Sequence, residues 1–150
     1  MTAKHSIAVA VSSLVLVAAT PALANTAGCV EMDATKATAL FDRWAKALPG
    51  QNPDLVLAHY TNEHTFKPHD KDGAMSERTE IRDYWNTFVD VTPRATLKES
   101  TAQIDCDTVV KTGVKEIVAG SETVTANFTM EFQNTDGVWL ISRHEITPVN

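Results

Sequence analysis

From Arg94 onward, the apolar residues of this chain stop recurring every three or four positions and begin to alternate. That switch of period constrains the fold more than any other feature, because a period of two is the mark of a half-buried strand. Ala95-Thr96-Leu97 and Ala102-Gln103-Ile104 read as one strand, and Thr108 to Val118 as a second. Thr123 to Gln133 is the third, with Ala126, Phe128, Met130 and Phe132 on one side and Asn127, Thr129 and Glu131 on the other. Asp136-Gly137 is a strong hairpin turn. Val138 to Thr147 makes the fourth strand.

The segment before this meander is helical. Asp33 can cap a helix whose apolar residues Ala37, Phe41, Trp44 and Leu48 fall on one face, and Pro49-Gly50 stops it. Asn52-Pro53 restarts a helix as cap and first-turn proline, with Leu55, Val56 and Tyr60 as its short buried face. His64 to Pro68 reads as a brief strand, and His69 to Met75 as a polar loop. Ser76 is the expected cap of a third helix, with Ile81, Trp85 and Phe88 inward and Pro93 at its end. Helices followed by an antiparallel meander make the class α+β.

The first residues belong to a different logic. Lys4 and His5 precede a small, apolar run from Ile7 to Ala19, and Ala22-Leu23-Ala24 has the spacing of a cleavage site. Residues 1–24 are expected to be a secretory signal peptide, with 25–32 a flexible lead and 33–148 the folded domain. The expected location is periplasmic or secreted. The full chain has 13 Lys and Arg against 19 Asp and Glu. Losing Lys4 leaves 12 against 19, about −7. With no basic stripe, nucleic acid and an anionic membrane are not expected partners. Thr26-Ala27-Gly28-Cys29 resembles a lipoprotein box, but Thr26 stands where leucine belongs, so lipidation at Cys29 is the minor alternative to soluble export. In an oxidising compartment, Cys29 and Cys106 are a reasonable disulfide pair.

Phe41-x-x-Trp44-x-x-Ala47-Leu48, Tyr60, Arg82-Asp83-Tyr84-Trp85-x-x-Phe88, Ala126-Asn127-Phe128-Thr129 and Gly137-x-Trp139-x-Ile141-x-x-His144 carry a resemblance. Over residues 33–148 the chain resembles the nuclear transport factor 2-like superfamily. Within it, the chain is similar to SnoaL-like proteins and to the association domain of calcium/calmodulin-dependent protein kinase II. The resemblance implies a cystatin-like cone, in which a curved four-strand sheet wraps the helices around a pocket. It also implies frequent dimerisation. The superfamily spans dehydratases, isomerases, epoxide hydrolases, oligomerisation hubs and proteins with no known activity, so it implies no single function. Similar proteins often carry an arginine where Asn127 stands, so a carboxylate-holding pocket is not implied.

The candidate site residues follow from strand parity and this resemblance. His144 is the expected general base or ligand donor, with His64, at the start of the tucked strand, as the alternative base. Simple alternation pairs His144 with Leu140 and Ser142, and Arg143 and Glu145 with Trp139 and Ile141; only one set can line the pocket, and Arg143 is the ligand-binding candidate of the second. The ordinary alternative is a surface Arg-Glu pair and a half-buried histidine. Arg82 could clamp an anion, or pair with Asp83 or Glu80 as a solvated residue. Trp85 is expected in the core, bordering a cavity, and Tyr60 could steady a developing anion. The apolar face of Ala126, Phe128, Met130 and Phe132 could be the interior or a dimer face. The dimer is favoured, which would aim Asn127 and Thr129 into the pocket. His59, His64 and His69 lack the spacing of a zinc site, and Asp70-x-Asp72-Gly73 lacks the rest of a calcium loop, so no metal is expected. No cofactor motif is present. The leading expectation is a small-molecule-binding domain with a partly apolar pocket. The alternatives are a proton-transfer enzyme and a homo-oligomerisation domain.

Overall fold

The computed structural model describes residues 28–149; the expected signal peptide lies outside the described residues. Helix α1 spans Ala34–Ala47, and the Asp33 side chain accepts a hydrogen bond from the Lys36 N–H at 2.8 Å. Such a cap satisfies one of the four amides a helix N-terminus leaves open. Ala37, Leu40, Phe41 and Trp44 form the buried stripe. A short 3-10 turn, Leu48–Gly50, leads into α2, Pro53–Leu57. This is a single turn capped by the Asn52 side chain. Its inward residues are Pro53, Val56 and Leu57, whereas Leu55 is 50% exposed, which corrects the expected face. Tyr60 opens strand β1, Tyr60–Lys67, rather than closing the helix.

Helix α3 runs Arg78–Val89 with Ile81, Trp85 and Val89 buried. Its cap is Glu77, which makes no side-chain capping bond, so the expected Ser76 cap is displaced by one residue. The remaining strands are β2 (Arg94–Ile104), β3 (Thr108–Ala119), β4 (Glu122–Thr135) and β5 (Val138–Pro148). They form one sheet in the order β1-β5-β4-β3-β2. Three neighbouring pairs are antiparallel, while β1 pairs with β5 in parallel. The expected four-strand meander is thus a five-strand mixed sheet, because the tucked strand extends and joins its edge.

The helices cover one face of this sheet. Phe41 of α1 lies 5.3 Å from Phe128 of β4 between ring centroids, and Phe66 of β1 stacks on Trp85 of α3 at 4.8 Å. The apolar face of β4 is therefore the interior, and the dimer reading of that face is overturned. Asn127 is exposed and Thr129 half-buried on the opposite face. A disulfide joins Cys29 to Cys106. It pins the lead to the β2–β3 connection, and the Cys29 sulfur that lipidation would require is committed to that bond.

Candidate functional site

Three polar side chains meet inside the apolar core. Tyr60 Oη lies 2.7 Å from His144 Nδ1, and Lys115 Nζ lies 3.0 Å from His144 Nε2. Tyr60 is 4% exposed, and Lys115 and His144 are fully buried. Among the described residues, no carboxylate hydrogen-bonds to any of the three. Their surroundings are aromatic. Lys115 Nζ sits 4.6 Å from the centroid of the Trp44 ring and 5.5 Å from that of Phe128. The His144 ring meets Trp44 edge-on at 5.1 Å and Phe66 at 5.2 Å.

Lys115 was not among the candidates read from the sequence. On β3, Val110, Val114 and Val118 make one face look apolar, while Lys111 and Lys115 occupy the other. The structure turns the lysines inward. The signal lay in the next hairpin: Gly120, at φ +61°, sits in the turn that brings Ala119 opposite Glu122. That register sets Lys115 opposite Ala126 and Lys111 opposite Met130, on the apolar face of β4. Lys111 is satisfied there by the hydroxyls of Ser100 at 2.8 Å and Thr38 at 3.2 Å.

His144 reaches the interior through an irregularity in β5. Phe132 pairs with Ile141 and Glu131 with Arg143, leaving Ser142 as an extra residue. The extra residue shifts the alternation, so Trp139, Ile141, His144 and Ile146 all face inward. The sequence parity that grouped His144 with Leu140 and Ser142 is thereby corrected, as is the half-buried histidine. Arg143 points outward and lies 3.5 Å from Glu131.

Burial dominates the electrostatics. It pushes the Lys115 ammonium down to about 7, because an ion is poorly solvated in an apolar interior. Burial, and then the neighbouring Lys115 charge, hold His144 well below the ordinary imidazole range. Burial raises the Tyr60 phenol well above its usual value. The cluster is therefore uncharged above neutrality. A neutral imidazole has one donor and one acceptor nitrogen. When Lys115 is protonated, it must donate to His144 Nε2, so Nδ1–H donates to the Tyr60 oxygen. When Lys115 is a free amine, the imidazole can adopt either tautomer and Tyr60 can reverse its O–H. The chain can thus relay a proton without any member needing a carboxylate.

A narrow cavity of about 110 Å³ opens beside this cluster, walled by Trp44, Tyr84, Trp85 and Phe88, with Ala126 and Ile146. It shares Tyr84 and Phe88 with a wider open trough of about 730 Å³ bordered by Asp70, Asp83 and Glu122. Ile146 lies two residues from His144 on β5, and Ile117, another wall residue, lies two from Lys115 on β3. Along a strand, such neighbours share a face. Lys115 and His144 are therefore the next inward residues along β3 and β5 from two walls of the cavity, although neither lines it. The indole N–H groups of Trp44 and Trp85 are buried without a partner.

The other candidates lie apart from this cluster. His64 donates Nδ1–H to the Thr61 carbonyl at 2.7 Å and leaves Nε2 buried and unpartnered. Its ring is 4.8 Å from that of Tyr60, without a hydrogen bond between them. Arg82 forks onto Asp54 at 2.9 and 3.1 Å, tying α3 to α2 on the surface, and this pairing lowers the Asp54 pKa. Its partner is neither Asp83 nor Glu80. Asn127 donates to the Pro148 carbonyl at 3.3 Å on the outer face. Thr129 pairs there with Thr112 and Glu145. Among the described residues, no three His, Cys, Asp or Glu side chains converge as a metal site, and no helix is long and apolar enough to cross a membrane.

Solved structures share this architecture. One from Xanthomonas campestris, named as a candidate calcium/calmodulin-dependent protein kinase II association domain, superposes with a TM-score of 0.74 at 27% identity, covering 79% of this chain and 89% of its own. A candidate dehydratase of the NTF2-like family from Streptomyces avermitilis gives 0.69 at 12% identity, over 79% and 97%. An NTF2-like protein of unknown function from Pseudomonas putida gives 0.67 at 13%, over 77% and 87%. The structural neighbours are NTF2-like, cystatin-like and association-domain-like proteins, matching the superfamily that the sequence resembles. No protein-family model and no curated protein matches the chain.

Proposed function

We propose that this protein is an exported domain that takes a small, partly apolar molecule into the aromatic throat of its cone. The carrying observation is a cavity walled by Trp44, Trp85 and Phe88 whose wall residue Trp44 also packs against the buried Lys115–His144–Tyr60 chain. Concave, mostly apolar sites with a few convergent polar groups are where small ligands bind, and perturbed titratable groups concentrate there. The apolar run before Ala24 and the Cys29–Cys106 bond both favour an oxidising, extracytoplasmic location. A homodimer of this domain would use a surface other than the inner face of β4, which α1 covers.

Proton transfer is the second reading, and the hydrogen-bonded relay from Lys115 through His144 to Tyr60 favours it. The dehydratase name of the Streptomyces neighbour lies in the same direction. Native mass spectrometry of protein recovered from the periplasm tests ligand uptake. A co-purifying small mass that leaves on denaturation is the expected result. No bound mass, together with tryptophan emission unmoved by a panel of short aldehydes, ketones and alcohols, would overturn it.

A further inference from the structure

The throat itself is lined by His69 and Glu122 besides its aromatic walls, and the Lys115 amine lies behind one of those walls, over the Trp44 ring. We propose that Lys115 is a nucleophile that captures a short, partly apolar aldehyde as an imine, with His144 as its proton carrier. The inference rests on the ligand uptake proposed above and names the substrate class for that site.

Three features of the geometry support it. Ala126 is both a wall of the throat and the cross-strand partner of Lys115, so only a small alanine side chain stands beside the base of the lysine on that side. Trp44 is the other divider: the throat lies along this ring and Lys115 Nζ lies 4.6 Å from its centroid. The Trp44 ring is held by packing against Phe41, Trp85 and His144, with its indole N–H left without a close acceptor. Lastly, Lys115 is buried without a carboxylate among the described residues to keep it as an ammonium ion, and its hydrogen-bond partner, His144 Nε2 at 3.0 Å, is a nitrogen of a neutral imidazole. An aldehyde suits this site better than a carboxylate, because it brings no charge that would need desolvation in an aromatic throat. The dry surroundings also protect an imine from hydrolysis.

The step balances without any further reagent. The Nζ lone pair adds to the carbonyl carbon, and the C=O π pair moves onto oxygen. A proton leaves nitrogen for His144 Nε2 and is returned to that oxygen, giving the carbinolamine. Nitrogen then forms C=N as the hydroxyl departs, and His144 carries the second nitrogen proton to it, so that water leaves. A desolvated lysine amine with an adjacent proton carrier is an activated nucleophile of a known kind.

The test treats the mature protein with propanal and sodium cyanoborohydride near neutral pH and maps the propylated peptides by mass spectrometry. An ordinary exposed lysine is a free amine to roughly one part in a thousand at neutral pH, whereas burial brings Lys115 close to half. Labelling of Lys115 is expected to exceed that of every other lysine by about tenfold or more. Lys115→Met should abolish it, and His144→Gln should slow it about tenfold or more. Tryptophan emission, read in parallel, reports whether propanal enters. An emission change with no preference for Lys115 overturns the imine and leaves ligand uptake standing. No emission change and no Lys115 adduct overturns the imine, and if the wider panel and native mass spectrometry are also silent it overturns ligand uptake as well.

Discussion

Replacing Lys115 with methionine isolates what the buried amine costs the fold. The free-chain value is 10.5, and burial brings the folded value to about 7. That difference corresponds to about 5 kcal/mol of destabilisation once the pH is below both values. The sign follows from proton binding. Between about pH 7 and 10.5 the unfolded chain holds a proton that the folded chain lacks, so stability rises with pH through this window. The penalty vanishes above the unfolded value and is complete below the folded one. Methionine fills nearly the same space without a charge, but it leaves His144 Nε2 without its partner, at a cost of about 1–3 kcal/mol. At pH 7 the variant should therefore be more stable by about 2 kcal/mol. Near pH 10.5 it should be the less stable protein, so the two stability curves cross. Urea unfolding followed by tryptophan emission at several pH values across the window measures the difference directly, and exposed titrating groups cancel between the two chains. A difference that stays flat with pH would refute the reasoning, because it would mean that Lys115 keeps an ordinary ammonium in the folded state.

Further perturbations probe other parts of the structure. Tyr60→Phe removes the hydroxyl from His144 Nδ1, and should lower stability by about 1–3 kcal/mol in denaturant unfolding at pH 8. Gly113→Ala should cost about 1–3 kcal/mol, since a Cβ there meets the Glu99 carbonyl oxygen and comes within 2.7 Å of Ser100 Cα, both backbone atoms of the bulged strand β2. A circular-dichroism melt reads the loss. Cys29→Ser should forfeit about 4 kcal/mol and make the wild-type response to a reductant disappear.

Local patterns carried much of the architecture in legible form. The Ala37, Phe41 and Trp44 stripe reads as a helix because its spacing follows one face, and β4 reads as a strand because its alternation is unbroken across Ala126 to Phe132. Asp136 and Gly137 both adopt positive φ, as the turn between β4 and β5 requires. What could not be read locally depends on partners distant in sequence. The parallel pairing of Tyr60 and Phe66 with Ile141 and His144 joins segments roughly 80 residues apart. Lys115 was missed because residue type outweighed register: a lysine on a half-polar strand reads as solvated unless the hairpin that follows is used to place it. The His144 parity was missed for a smaller reason. Two residues separate Ile141 from His144 where one would keep the alternation, and that doubled gap is the bulge itself, visible in Trp139-x-Ile141-x-x-His144-x-Ile146. Arg82 illustrates the opposite error, since its fork geometry was anticipated, but its carboxylate partner comes from the chain at Asp54.

The Cys29–Cys106 bond also gives the molecule a mechanical partition. The two half-cystines are 77 residues apart, and all three helices, β1 and β2 lie between them. A force applied to the two ends of the oxidised chain can peel only the strands after Cys106, while the closed ring bears no net extension. Reduction would release a further length of roughly 260 Å, taking the fully stretched chain at about 3.4 Å per residue. The ring holds Tyr60, whereas Lys115 and His144 sit on the part that peels. Tension would therefore pull the polar chain apart at the Tyr60–His144 contact while every helix kept its tether.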